Sequence, residues 1–284
     1  MLFDAHLRAA GLTARDVADL RFFGVDGALC PATETVTPAT ASNLRRSWEE
    51  LAGPTLARLR RGGLAAYGAL GISPRRIPWR GLEALLAELP AWLSRPGVVA
   101  IGSVGLESAT EREEMIFSRQ LDLARELRLP VLVHTPDRDK VKVTRRALEL
   151  LRRAEVDPRR VLVDHADRRT LRLIRAVGYG AVLSLSASPG AGHGPERDAI
   201  DEAARLVRSM GPEGVILASD AGEGLGDLLA IPRAADRMGR LGLSDAVIRR
   251  VCGKNALASL RLEPSGVRSR ARAPSGRSGR RTSR

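Results

Sequence analysis

The chain is read as an α/β protein, a single (β/α)8 barrel of the TIM type. Three observations predict this. Eight short, mostly apolar runs, β-branched in part, alternate with longer helix-patterned segments along 284 residues. Parallel strands need crossover connections, and alternation with helices provides them. A count of eight favours closure over an open doubly wound sheet, the competing architecture, and barrels of about 250 residues commonly form one domain.

The strand-like runs are Leu2–His6, Val25–Cys30, Leu64–Ile72, Val98–Val104, Pro130–His134, Val161–His165, Ala181–Leu185 and Val215–Asp220. Their apolar character on both alternating faces suits strands covered inside and outside. Between them, a helix begins near Thr13 and an amphipathic stretch runs from about Pro38 to Arg61. Glu111–Leu127 sets Met115, Leu121 and Leu123 among charges, and Lys140–Arg153 repeats Val143, Ala147, Leu148 and Leu151 near the 3.6-residue period. A last helix is expected from Ser244 to about Leu260. The barrel domain is expected over residues 1–262. Residues 263–284 turn to Ser, Gly, Pro and Arg without apolar period, the composition of a disordered tail.

The formal charge is +13, and about half of it sits in that tail, which holds seven arginines from Arg268 to Arg284 and no acid after Glu263. Of 46 basic residues only Lys140, Lys142 and Lys254 are lysine. The tail could contact nucleic acid or anionic lipid, but it lacks interleaved aromatics for base stacking, so it reads as a solvated extension. Two distant cysteines, Cys30 and Cys252, exclude a disulfide scaffold and a CxxC zinc site. No run approaches the ~20 apolar residues of a membrane span, and the first residues read as a strand rather than an export signal. A cytoplasmic protein with reduced thiols is expected.

Barrel enzymes carry reactive groups at the C-terminal ends of their strands. Three of the four histidines, His6, His134 and His165, end predicted strands, and Asp220 ends the eighth; His193 lies in the glycine-rich loop Gly190–Gly194. Taken singly, each histidine is most simply a rim or core residue. Together on one rim, with an aspartate, they make a ligand set for Zn, Mn, Fe or Ni. A bound cation would lower the pKa of its water, and Asp220 is placed to orient that water or take its proton.

The order of these residues resembles the TatD-like metal-dependent hydrolases of the amidohydrolase-type barrels. The resemblance covers roughly residues 1–262. It is carried by Asp4-Ala5-His6, by Ala100-Ile101-Gly102-Ser103-Val104-Gly105-Leu106-Glu107, by Arg119–Ala124 followed by Leu129–Thr135, by His165 and by Ser219-Asp220. It implies a TIM-type barrel, divalent metals and hydrolysis, often of phosphate esters and in some members of DNA. Three positions depart from the family pattern. Arg8 stands where a second histidine of Asp-x-His-x-His is usual, Ser103 where a metal-ligating glutamate is usual, and Ser73, before Pro74, where a histidine is common.

A serine is a poor substitute for a bridging carboxylate, and an arginine cannot shed its proton to ligate a metal. Arg8 is therefore expected to replace one cation, pairing with Asp220 or clamping an anionic substrate oxygen. That leaves His6, His134, His165 and Asp220 for at most one divalent metal, Zn, Mn or similar. Asp220 and Arg8 are the expected catalytic groups, and Arg8, Ser103 and Ser73 line the substrate. Glu107 supplies a carboxylate only if its loop folds back.

Three functions compete: a one-metal hydrolase of phosphorylated or otherwise anionic small molecules, a metal-free barrel that binds an anionic ligand or partner, and a deoxyribonuclease. Weaker candidates are Cys30 as a nucleophile and Ser184, Ser186 or Ser188, which lack a GxSxG elbow. Gly222-Glu223-Gly224 is either a phosphate-binding turn or a simple loop. Asp137 and Asp139 are read as helix caps.

Overall fold

The computed structural model describes residues 1–32, 39–185, 196–222 and 226–263, with side chains from 198 in the third stretch. Residues 264–284 of the predicted tail, His193, Ser186, Ser188 and the pair Glu223-Gly224 lie outside the described residues.

Eight strands follow one another around a barrel: β1 (Leu2–Asp4), β2 (Val25–Pro31), β3 (Ala65–Leu70), β4 (Val98–Gly105), β5 (Val131–His134), β6 (Val161–Val163), β7 (Gly180–Ser184) and β8 (Val215–Ala218). They pair in sequence order, β1 to β8, and every pairing is parallel. The seam between β8 and β1 closes beyond the strand ends. A bridge joins Leu7 to Ala221, the Arg8 amide donates to the Ala221 carbonyl at 2.9 Å, and the Asp220 amide donates to the His6 carbonyl at 3.0 Å. The seam thus sets His6, Arg8 and Asp220 beside one another.

Helices separate the strands: α1 (Ala14–Phe22), α2 (Ala41–Glu50), α3 (Leu56–Arg61), α4 (Leu82–Leu93), α5 (Glu111–Glu126), α6 (Lys140–Arg153), α7 (Leu171–Ala176), α8 (Glu196–Met210) and α9 (Ala230–Arg240), then α10 (Asp245–Arg249) and α11 (Asn255–Leu260). The amphipathic stretch ending at Arg61 is two helices joined by a wider π-type turn, Leu51–Thr55, which holds Pro54. Proline lacks the N–H that a regular turn would use. No helix among the described residues is long and apolar enough to cross a membrane.

One core fills the barrel. Phe3, Leu29, Ala69, Ala100, Leu132, Leu162, Val182 and Ile216, one from each strand, are fully or almost fully buried together. Ala256, Leu257 and Leu260 of α11 join this cluster, near the N-terminus of β1, where Met1 approaches Gly253. A second core lies between strands and helices and includes Val17, Leu20, Trp48, Phe117, Leu121, Leu151 and Ile231. Hydrophobic burial in two concentric layers leaves the C-terminal strand ends free for polar groups.

Four strands stop two residues short of their predicted ends: β3 at Leu70, and β1, β6 and β8 at Asp4, Val163 and Ala218, the three that deliver site residues. Side chains take over the backbone amides there. Asp4 Oδ1 accepts from the His6 amide at 3.1 Å and the Ser219 amide at 2.9 Å, and Asp164 Oδ1 accepts from the His165 amide at 2.9 Å. His165 and Asp220 both adopt left-handed backbone angles, φ 54° and 53°. Such angles are uncommon for residues with a Cβ and cluster at functional sites.

Candidate metal centre

Four strand ends deliver the central groups. The β1 exit supplies His6 and Arg8, the β6 exit Asp164 and His165, the β7 end Ser184, and the β8 exit Asp220. His6, His165 and Asp220 each offer a ligand atom lying within 4.8 Å of the others, the one such group of three among the described residues. His6 Nε2 faces Asp220 Oδ1 at 3.5 Å, and His165 Nδ1 faces Asp220 Oδ2 at 3.9 Å. Behind them, His6 Nδ1 is held by the Asp164 carboxylate, and His165 Nδ1 meets Ser184 Oγ at 3.0 Å. A carboxylate on the far nitrogen of a ligating imidazole fixes its ring and raises its basicity.

Arg8 reaches the same aspartate. Its Nε and one terminal nitrogen lie 2.9 and 2.8 Å from Asp220 Oδ1. Asp220 is almost wholly buried, while the Arg8 side chain keeps 19% exposure. The approach depends on Gly222, whose φ is 120°; a Cβ there would come within 2.0 Å of the Arg8 carbonyl oxygen.

The electrostatics follow from burial and proximity. For His6, burial opposes charge, but Asp164 and Asp220 outweigh it and raise the imidazole to about 9. Burial likewise works against charge on Asp164, yet His165 and His6 hold its carboxyl well below the usual carboxylate range. His165 goes the other way: burial depresses it, and the two aspartates offset that only in part. Asp4 is raised to about 6 by burial, against the hydrogen bonds from Ser219 and His6.

His134 stands beside the cluster, its ring 5.3 Å from that of His165, but its Nε2 meets Glu107 Oε2 at 2.8 Å. The β4–α5 loop does fold back. Glu113 Oε2 accepts the amides of Glu107, Ser108 and Ala109, each at 2.9 Å, and so turns Glu107 toward the mouth. Arg75 donates to Glu107 at 2.9 Å and lies 3.8 Å from Asp137. Burial would raise Glu107, but His134 and Arg75 bring it down to about 2.

Ser73 and Ser103 occupy the β3–β4 side of the mouth, both buried; Ser73 Oγ caps the turn Pro74–Arg76 by accepting the Arg75 amide at 3.3 Å. The expected caps at Asp137 and Asp139 do not form. Asp139 precedes α6 in a left-handed conformation with no side-chain cap bond, because the chain turns sharply there, and Asp137 faces Arg75. Cys30 is buried and its thiol is pushed far up by burial, which removes it as a nucleophile. Neither Asp164 nor Arg75 was among the site residues expected from the sequence. Asp164 adjoins a strand-end histidine, where alternation points it to the opposite face, and the left-handed turn at His165 cancels that expectation.

The donor set suits one cation. Two imidazoles and a carboxylate match the ligands of zinc and related divalent metals. Arg8 already bonds Asp220 Oδ1, and Ser103 offers only a neutral hydroxyl.

A family model described as TatD related DNase matches residues 5–203. The chain belongs to this family. Its TatD-type match ends before β8 and Asp220, but similarity to whole relatives extends further. An uncharacterized metal-dependent hydrolase of Methanocaldococcus jannaschii is 28% identical over 262 residues, covering 92% of this chain and 100% of that protein. The crystal structure of a TatD-like protein from Archaeoglobus fulgidus superposes with a TM-score of 0.74 at 27% identity, covering 92% of this chain and 100% of that one. A phosphotriesterase homology protein from Escherichia coli, solved with phosphate in its active site, shares the fold with a TM-score of 0.68 at 16% identity, covering 92% and 98%. A family of metal-dependent hydrolases implies a divalent metal.

Proposed function

We propose that this TatD family member is a hydrolase of phosphoesters or other small anionic substrates, working with a single divalent cation. His6, His165 and Asp220 would hold that cation, and Arg8 stands in for a second. The observation that carries the reading is the pairing of Arg8 with Asp220 at 2.8 and 2.9 Å beside that three-residue cluster. When bound, the cation supplies Lewis acidity and a water acidified toward neutrality.

The chain's own groups do the rest. Asp220 orients the attacking water and accepts its proton at Oδ2, the oxygen that Arg8 leaves free. Arg8 offers its remaining guanidinium N–H groups to a substrate oxygen, keeping a fixed positive charge that needs no proton exchange. Asp164 and Ser184 hold the rings of His6 and His165. Ser73 and Ser103 line the substrate side with hydroxyls. His134 joins the ligand set on parting from Glu107.

The testing experiment is elemental analysis of the purified protein, followed by a phosphomonoesterase and phosphodiesterase screen with and without added Mn or Zn. Near-stoichiometric metal with chelator-sensitive turnover is expected; absence of both overturns the reading. A specific observation favours a second reading, a metal-free anion binder. Charged His6 and Arg8 together balance Asp164 and Asp220, so the cluster is near neutrality without a cation. That reading gains if the protein purifies without metal and inorganic phosphate still binds.

A further inference from the structure

We propose that Lys140 is a positioning residue that locks His165 into the conformation in which its ring faces the metal cluster. The inference rests on His165 being a ligand of that cluster. His165 has a left-handed backbone, φ 54°, which a residue with a Cβ adopts only when its surroundings demand it. Its amide is taken by Asp164 Oδ1 at 2.9 Å, and its ring by Ser184. Its carbonyl is gripped from the β5–α6 connection and the start of α6. Lys140 Nζ donates to it at 2.8 Å, and Thr135 Oγ1 approaches at 3.4 Å while donating at 2.7 Å to the Asp164 carbonyl. Lys140 Nζ also lies 3.5 Å from Thr135 Oγ1.

These contacts tie the exit of β5 to the exit of β6 across the turn that carries two of the cluster's groups. The lysine opens α6 after the left-handed Asp139, which turns the chain so that its side chain runs inward; it is only 4% exposed. Burying an ammonium is unfavourable, and burial does depress its basicity. Such a cost is met where the group holds something in place.

Composition points the same way. Nearly all of the 46 basic residues are arginine, yet the buried one here is lysine. A compact ammonium serves one carbonyl and one hydroxyl at close quarters, where the flat guanidinium fork would not fit the same geometry. Lys142 and Lys254, the other lysines, are exposed.

The test reads ring position and metal affinity separately. In histidine-labelled Lys140→Met, the His165 imidazole signals should move while those of His6 stay in place. Affinity for zinc chloride, measured by calorimetry, should fall about tenfold or more, as for other groups that orient a ligand. A His165 signal and a zinc affinity unchanged from wild type would overturn the proposal. Should Lys140→Met not fold, lysine-labelled wild-type protein decides. The Lys140 ammonium should exchange slowly with water and couple to the His165 carbonyl, and rapid exchange like that of Lys142 would overturn the proposal. If zinc binds neither protein, the metal reading fails by itself, and movement of the His165 signal alone settles the role of Lys140.

Discussion

Asp164→Asn isolates the electrostatic device at the centre of the mouth. His6 is raised from 6.5 to about 9, with Asp164 the largest contribution on the raising side. At 1.36 kcal/mol per unit, that rise corresponds to about 3 kcal/mol of folding stability. The folded value exceeds the unfolded one, so this stability is fully present below pH 6.5 and is lost as pH climbs through 9. Asp164 itself stays ionised across that window, since its folded value is depressed. Replacing it with asparagine should remove about 2 kcal/mol of the histidine's share at pH 6 and little of it at pH 10. A further ~1 kcal/mol, from the weakened bond to the His165 amide, should be lost at both. Guanidinium unfolding of chelator-washed wild type and variant, compared at pH 6 and pH 10, reads the difference. Equal destabilisation at the two pH values would refute the argument that His6 is charged between two carboxylates.

Three other outcomes follow from named contacts. Glu113→Ala removes one acceptor from three amides and should cost about 3 kcal/mol, with fast hydrogen exchange confined to residues 107–109 and the start of α5; uniform protection there would contradict the role given to Glu113. Gly222→Ala forces a Cβ against the Arg8 carbonyl at a φ of 120° and should lower stability by roughly 2 kcal/mol or more, read by thermal melting; a loss below ~0.5 kcal/mol would mean that the β8 exit yields freely. Cys30 and Cys252 are buried, with thiols pushed up by burial, Cys252 to about 12. Both should resist a disulfide reagent in the folded protein and react only on unfolding; rapid native labelling of either would contradict their burial.

Much of the fold was legible because apolar runs and helical periods alternate without interruption, and eight parallel strands close in one way. Strand ends were less legible. Leu2–His6, Val161–His165 and Val215–Asp220 look continuous in sequence, but Asp4 and Asp164 divert backbone amides and end the ladders early. The same diversion explains which site residues were visible. His6, His165 and Asp220 carry their chemistry in their residue type and position. Asp164 does not, because its contact with His6 spans 158 residues and depends on a left-handed turn that propensity disfavours. Glu107 reaches His134 only because Glu113, six residues later, gathers three loop amides. Arg75 was hidden for a like reason: nothing local distinguishes it from the many arginines around it.

In the proposed site, Arg8 and Ser103 limit the mouth to a single cation. The direct measurement is metal content, by elemental analysis after equilibration with excess Zn or Mn and desalting, of wild type and of the double variant Arg8→His, Ser103→Glu. At most one metal per chain is expected in the wild type, with a clear rise in the double variant. Full loading with two metals in both proteins would contradict that limit.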